Sequence, residues 1–546
     1  MNQRRPYRVA PGQEGIALVA AMILLMGLSA LMLAASVAAI LEKNSTVNHR
    51  TSARALYAAD SGIEVARQFI TGYAKAQLDS MTAVWSGNGV IIADPGNVFP
   101  VQGFVFRNTD NPAFSCTTFV TFEDSTLELQ SQVYNYRYRT VSSGSHVGGR
   151  RVVESEGRLR VSATRGSFAD YLIFTDTHLT PGGGNIWFHT SGHFDGRVHT
   201  NDTYRFAYFP TFEDLVSSVD DEVWYYNDGH PIRSNRNRNG NRDVPNFYGG
   251  LELDAARIDL PDNSFSQERA ALGGNPADTS PVTNAEIRDA LGLATGSTPP
   301  PDGVYVPSSG GQITGGIYIA GDAREVKLSI VNGEQIMKIK DANNHVTMVR
   351  IDPATNTTHV TPPSGAPVQL SGLPRGVLYT KGEVQDLGGP NRSGGLAVPA
   401  IARDQQLSIV ASEDIVIQND LAYEDYDSGE NVLGIFSSGG DIRIGNGAPD
   451  GLVMDGFVLA SDDRKSFTVD NYSQGGYRGE VHLRGGMVTN HYGAFGTFDN
   501  YGNMTGYGRD FRYDRRGYVP PYYPLTSRYV PDQPQPNVLA WREITE

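Results

Sequence analysis

The chain has 546 residues, 39% of them apolar and 19% charged, and 60 acidic against 45 basic side chains give a net charge of −15. That length fills roughly two to four domains of ordinary size, and the composition is that of folded protein. The acidic balance excludes a general nucleic-acid binder, which needs a basic face to neutralise phosphates. A single cysteine, Cys116, excludes an intrachain disulfide.

The first element in chain order is apolar. Ile16 to Leu41 carries no charged residue over 26 positions. As a helix it would be about 39 Å long, more than the ~30 Å of bilayer hydrocarbon. A secretory signal has an apolar core of only about 7–15 residues, so a membrane helix is the better reading. Arg4, Arg5 and Arg8 precede the segment and Lys43, Arg50 and Arg54 follow it, so flanking charge does not set its orientation. Beyond Leu41, Leu56, Ala59, Ile63, Ala66 and Ile70 recur at steps of three and four, the stripe of an amphipathic helix. The spacing predicts one rod over residues 16–72.

"GIALVAAMILLMGLSALMLAAS" followed by "ARALYAADSGIEVARQF" resembles the amino-terminal region of the PilX-type minor pilins of type IV pilus systems. The resemblance implies a leader over residues 1–15, cut between Gly15 and Ile16, and a helix that packs with those of other pilin-like subunits. Two positions depart from the pattern: Ala20 stands where major pilins carry a glutamate, and Glu14 precedes the glycine.

From Thr117 to Ala163 the period changes to two. "TTFVTF", "LELQSQVYNYRYRTVSSG" and "RRVVESEGRLRVSA" predict a small antiparallel β region within residues 73–165, with a turn at "SGSHVGG".

From about residue 166 to 500, short aliphatic runs return between glycines, which number 61 in the chain. Ala411, Ser437, Ala460 and Gly485 mark equivalent places in four of them. A period near 25 residues without intervening helices predicts a parallel β-helix, or solenoid. Its core candidates are Ile409, Ile415, Ile417, Ile435, Ile442 and Ile444. The segments 230–250 and 275–303 read as a polar loop and a Pro-rich linker with one short helix. Residues 325–361 read as strands with turns at Asn332-Gly333 and Asn343-Asn344. The Tyr/Pro-rich residues 501–546 read as a cover for the terminal edge of the coil, with exposed tyrosines as an alternative glycan contact. The carboxyl half, with "FDGRVHTNDTYRFAYFPTFEDLVSSV" ahead of it, resembles a bacterial envelope family of unknown function, which implies an envelope location and no known activity.

Three constellations invite chemistry. His189, His193 and His199 have a spacing that zinc ligands use, although turn residues interrupt them. Asp441, Asn446, Asp450 and Asp455 lie among glycines, as in calcium-binding turns. The acidic stretch Tyr423–Glu430 contains carboxylates close enough in sequence to serve as a glycosidase pair. Ordinary core, turn and surface roles explain each group as well. No Walker loop, G-x-S-x-G elbow or cysteine nucleophile is present, so no cofactor and no metal are expected. The expected protein is mainly β and non-enzymatic, single-pass in the cytoplasmic membrane with its bulk outside or within a pilus, partnered by pilin-like subunits and a surface or glycan ligand. The alternative is a membrane-anchored β-helix enzyme acting on polysaccharide.

Overall fold

A computed structural model describes residues 13–85, 90–128, 130–190, 192–240, 242–499 and 502–544. The chain divides into two compact units, Met1–Thr164 with Val530–Glu546, and Arg165–Tyr529.

The first unit is organised by helix α1, Gln13–Val84. It runs past residue 72 because Ala74, Leu78 and Thr82 extend the apolar stripe, and Lys75 pairs with Asp79 one turn on, at 2.8 Å. From Ala55 onward its buried face, which includes Ala59, Ile63, Ala66 and Ile70, packs on an antiparallel sheet. The strands are β1 (Phe104–Asn108), β2 (Ala113–Leu127), β3 (Ser131–His146) and β4 (Gly149–Ser167). Tyr134, Tyr136 and Tyr138 alternate inward along β3, as a half-buried strand requires. Close approach of helix and sheet depends on glycine: a Cβ on Gly144 would run into the Ala55 carbonyl and the Ala59 amide. Cys116 donates its thiol to the Gly62 carbonyl at 3.1 Å, and burial pushes that thiol up to about 11.

The turn between β3 and β4 has two residues, with His146 paired to Gly149. Both central residues are left-handed, Val147 at φ +44° and Gly148 at φ +83°. Glycine accepts this freely; a β-branched valine does not. The far edge of β4 is occupied by Leu525–Pro531 and Gln535–Ile544. The Tyr/Pro-rich carboxyl segment contributes to both units. Its last strands complete the β4 sheet, and Tyr518, Tyr522 and Tyr523 lie on an apolar sheet face of the second unit. Residues 501, 545 and 546 of that segment fall outside the described residues.

The second unit contains two large sheets, the first parallel over most of its pairs and the second divided equally between parallel and antiparallel pairs. In spatial order the first runs Leu251–Glu252, Val216–Ser218, Val198–Thr200, β5 (Ile173–Thr177), Tyr477–His491, Val453–Ala460, Val432–Ser437, Gln406–Ala411, Val377–Thr380, Ile317–Ala320 and Gly303–Tyr305. The chain does not follow that order. It moves from β5 outward to Leu251–Glu252, then residues 253–302 carry it to the far end, and it returns strand by strand. Met487 finally pairs with Ile173. Between visits to this sheet the chain crosses to the second, where Val384–Gly388, Ile415–Ile417, Ile442–Ile444 and Phe467–Val469 pair in parallel. A meander over residues 323–371 extends the second sheet through turns at Asn332-Gly333 and Asn344.

Registers align like with like. Leu378, Ile409, Ile435, Val458, Met487, Ile173 and Val198 form one column, all essentially inaccessible to solvent. Ile415 pairs with Ile442, and Ile417 with Ile444, all four fully buried. The small-residue column runs Ala411, Ser437, Ala460 and then Thr489; Gly485 pairs instead with Gly456. Two helices lie in the return segment. α3 (Asn284–Ala290) starts at a capping box, with Thr283 accepting from the Glu286 amide at 3.3 Å and Glu286 from the Thr283 amide at 2.7 Å. α2 (Phe265–Leu272), which the residue pattern does not announce, packs Ala270, Ala271 and Leu272 against Tyr318 and Tyr379.

Two stability predictions follow from these positions. Ile435→Asp places a charge between two paired strands and should cost on the order of 4 kcal/mol, against about 1 for Ile435→Val, read as denaturant midpoints of the second unit. Val147→Asn relieves the left-handed valine and should raise the stability of the first unit by about 1 kcal/mol in the same measurement.

Candidate functional site

Every residue of α1 from Ile16 to Arg50 is exposed. Such a surface, 26 residues without a charge, finds no cover in its own unit and requires lipid or other helices. Among the described residues this is the one helix long and apolar enough to cross a membrane. Ala20, Ala21, Gly27, Ala30, Ala34 and Ala35 are small enough to let a neighbouring helix approach. The hydroxyl of Ser29 turns back onto the Leu25 carbonyl at 2.7 Å, as a polar group in an apolar helix does. Gly15 and Ile16 lie within this helix, whereas residues 1–12 of the expected leader fall outside the described residues.

At the other end of α1 the seat on the sheet is reinforced by charge. Arg151 reaches Ser52 at 2.9 Å, and the Trp541 indole donates to Asp60 at 3.2 Å. Burial alone would raise the Glu154 carboxyl, yet bonds from Arg542 and Arg139 hold it below its ordinary range.

The three histidines do not share a task. His193 pairs with Glu213 at 2.7 Å on the surface, and His189 sets its ring edge-on to Tyr208. His199 is enclosed, hydrogen-bonded to Ser217 at 2.8 Å and to Asn201 at 3.1 Å. Burial pushes it down to about 4. A fourth histidine, His178, which no spacing singles out, is buried more deeply and pushed down to about 3, first by burial and then by Arg205 and Arg509.

The glycine-rich acidic positions bond from one strand layer to the next. Asp414 accepts from the Asp441 amide at 2.9 Å, and Asp441 from the Ser466 amide at 2.8 Å. Asp450 holds Arg478 at 2.9 Å, and Asp455 holds Arg484 at the same distance. The intervals of 25 to 29 residues between partners repeat the spacing of the strands themselves. Within the Tyr423–Glu430 stretch, Glu424 accepts the Arg403 amide and Asp425 the Ser428 hydroxyl. Burial pushes the Asp455 carboxyl up despite Arg484, and Asp514 is fully enclosed with Arg516. The Arg484 guanidinium lies 3.6 Å above the Tyr426 ring, and that of Arg516 at 4.5 Å.

Among the described residues the group whose ligand atoms converge within 4.8 Å is Glu480, His482 and Asp510. Arg512 occupies one oxygen of Asp510 at 3.0 Å, so the group closes as a surface ion-pair cluster. A cleft of about 500 Å³ is lined by Arg375, Arg403, Asp404 and Glu424 among others.

Comparison with known families adds two matches. Residues 14–64 match the family described as PilX N-terminal, which makes this stretch a PilX-like pilin region. Residues 133–220 match a family described as a domain of unknown function (DUF4900). That second match covers β3, β4, β5 and the next two strands of the large sheet, and ends at residue 220. No curated protein and no solved structure matches the chain.

The buried imidazoles set a pH dependence. Their folded values lie below the ordinary value near 6.5, so the unfolded chain binds the extra protons on acidification. Stability is complete above about pH 6.5 and is lost as pH falls toward 4, by on the order of 3 kcal/mol for His199. His199→Gln should flatten the midpoint-against-pH curve of the second unit over that window; an unchanged slope would assign the acid sensitivity elsewhere.

Proposed function

We propose that this chain is a non-enzymatic, structural component of a type IV pilus or related envelope assembly. The observation that carries this reading is the division of α1. Its amino-terminal part is bare and uncharged, whereas its carboxyl-terminal part is seated on an antiparallel sheet, and the PilX-like match covers the join. On this reading Ile16–Leu41 lies in the cytoplasmic membrane, and Arg165–Tyr529 is a parallel β-helix carried outside it. In-register pairing of strands about 25 residues apart, and the aliphatic columns inside, support the β-helix.

The chemistry of the amino terminus refines the role. Cleavage after Gly15 leaves an ammonium on Ile16, and an unpaired ammonium is costly in lipid. Ala20 has no carboxylate to offer it. The amine must stay at the interface or meet an acid from a neighbouring subunit, which suits a place at the tip or base of a filament, with a part in assembly, priming or surface attachment. The polysaccharide-enzyme alternative needs open, converging carboxylates, one of them protonated; Glu480 and Asp510 converge at the surface, but bonds from His482 and Arg512 hold the Asp510 carboxyl below its ordinary range.

Amino-terminal sequencing of the membrane-extracted protein should find a chain beginning at Ile16. An intact amino terminus would leave a plain anchor, and a start near Ile40 would identify a secretory signal. Protease added to spheroplasts should digest the region beyond residue 85; protection until the membrane is broken would reverse the topology.

A further inference from the structure

On the surface between residues 187 and 243 lies a group of rings that the core does not use. Trp187 and Tyr226 meet edge to face with centroids 5.5 Å apart. Tyr208 lies 5.8 Å from Tyr226, and His189 5.3 Å from Tyr208. None of the four is buried. An edge-to-face contact covers at most one face of one of its two rings. Tyr208 is also held at φ +60°, a region tyrosine ordinarily avoids. Its amide donates to the fully buried Asp243 at 2.8 Å, and its carbonyl accepts from the Val244 amide at 2.7 Å. Strain of this kind persists only where the surroundings enforce it, and it gathers at ligand sites.

The sequence from Pro231 to Arg242, which opens with the strand Ile232–Ser234, carries four arginines and no acidic residue in a protein of charge −15. Asn239 ties it to Asn227, the residue after Tyr226, at 3.1 Å. Arg233 pairs with Asp220 at 2.7 Å and Arg242 with Asp228 at 3.3 Å. Arg236 and Arg238 are exposed, with no acidic partner among the described residues.

We propose that this patch binds an acidic polysaccharide. The rings receive the apolar faces of sugars, and Arg236 and Arg238 receive carboxylates of uronate units, which a guanidinium fork matches in shape and charge. A nucleic-acid strand would need a longer cationic track than two free guanidiniums on an acidic protein provide. The proposal rests on surface display only for where the polymer is met; binding by the extracted protein is independent of topology and of leader cleavage.

The test uses the full chain in detergent micelles, with an oligogalacturonate of defined length, a neutral dextran oligosaccharide and a single-stranded DNA as probes. Saturable binding of the oligogalacturonate, weakened by added salt and absent for dextran, is expected. Arg236→Gln/Arg238→Gln should weaken it at least about tenfold with an unchanged melting profile, because neither side chain supports the fold. Trp187→Leu should weaken it while leaving the salt dependence in place. No saturable binding, an affinity unmoved by the arginine pair, or tighter binding of the DNA would overturn the proposal, and an affinity unmoved by Trp187→Leu would remove the rings from it.

Discussion

A strand of three residues, such as Ile442–Ile444, cannot keep its own conformation in water. It exists because Ile415–Ile417 on one side and Phe467–Val469 on the other complete its hydrogen bonds in register. Each neighbour depends on the next in the same way, so parallel pairing at a fixed register is the constraint on which the second unit rests. Columns of like residues follow from it. On the inner side aliphatics stack on aliphatics. On the outer side Tyr318 stacks on Tyr379, rings 5.8 Å apart and nearly parallel. At the strand ends Thr489, Thr175 and Thr200 succeed one another, and the hydroxyl of Thr175 donates to that of Thr200 at 3.0 Å.

Much of this is legible in the residues because it has a local period. The stripe on α1 reads directly, and the antiparallel hairpins announce themselves by alternation and by Asn332-Gly333. The aliphatic runs after residue 406 repeat closely enough that Ile409 and Ile435 match by spacing alone. The fourth run is where matching slips. Tyr477–His491 is long, its first half pairs with residues 506–513, and the true counterpart of Ala460 lies four residues beyond Gly485. Other features leave no local trace. Met487 and Ile173 are paired across more than three hundred residues, and Val198–Thr200 is too short to show alternation. α2 begins at Ser264 without a side-chain cap, so the usual start signal is missing.

The polar residues repeat the lesson with the opposite sign. Asp441, Asp450 and Asp455 resemble a ligand set along the chain, because the eye joins residues a few positions apart. In the fold each joins a partner 25 to 29 residues away. The same spacing in His189, His193 and His199 separates an aromatic contact, a surface ion pair and a buried hydrogen-bonded ring. The chain does carry the right signal, the 27- and 25-residue intervals of Asp414, Asp441 and Ser466, but it becomes usable only once the spacing of the paired strands is known.

Because the chain enters its long ladder in the middle and leaves beside the point of entry, the two ends of the second unit touch. The Arg165 guanidinium lies over the Tyr529 ring at 5.8 Å and donates to the Thr526 carbonyl at 2.8 Å, while the Phe168 amide donates to the Pro524 carbonyl at 3.2 Å. Tension drawn between residues 165 and 529 is therefore met first by this short clasp, before it reaches the strand-to-strand pairs.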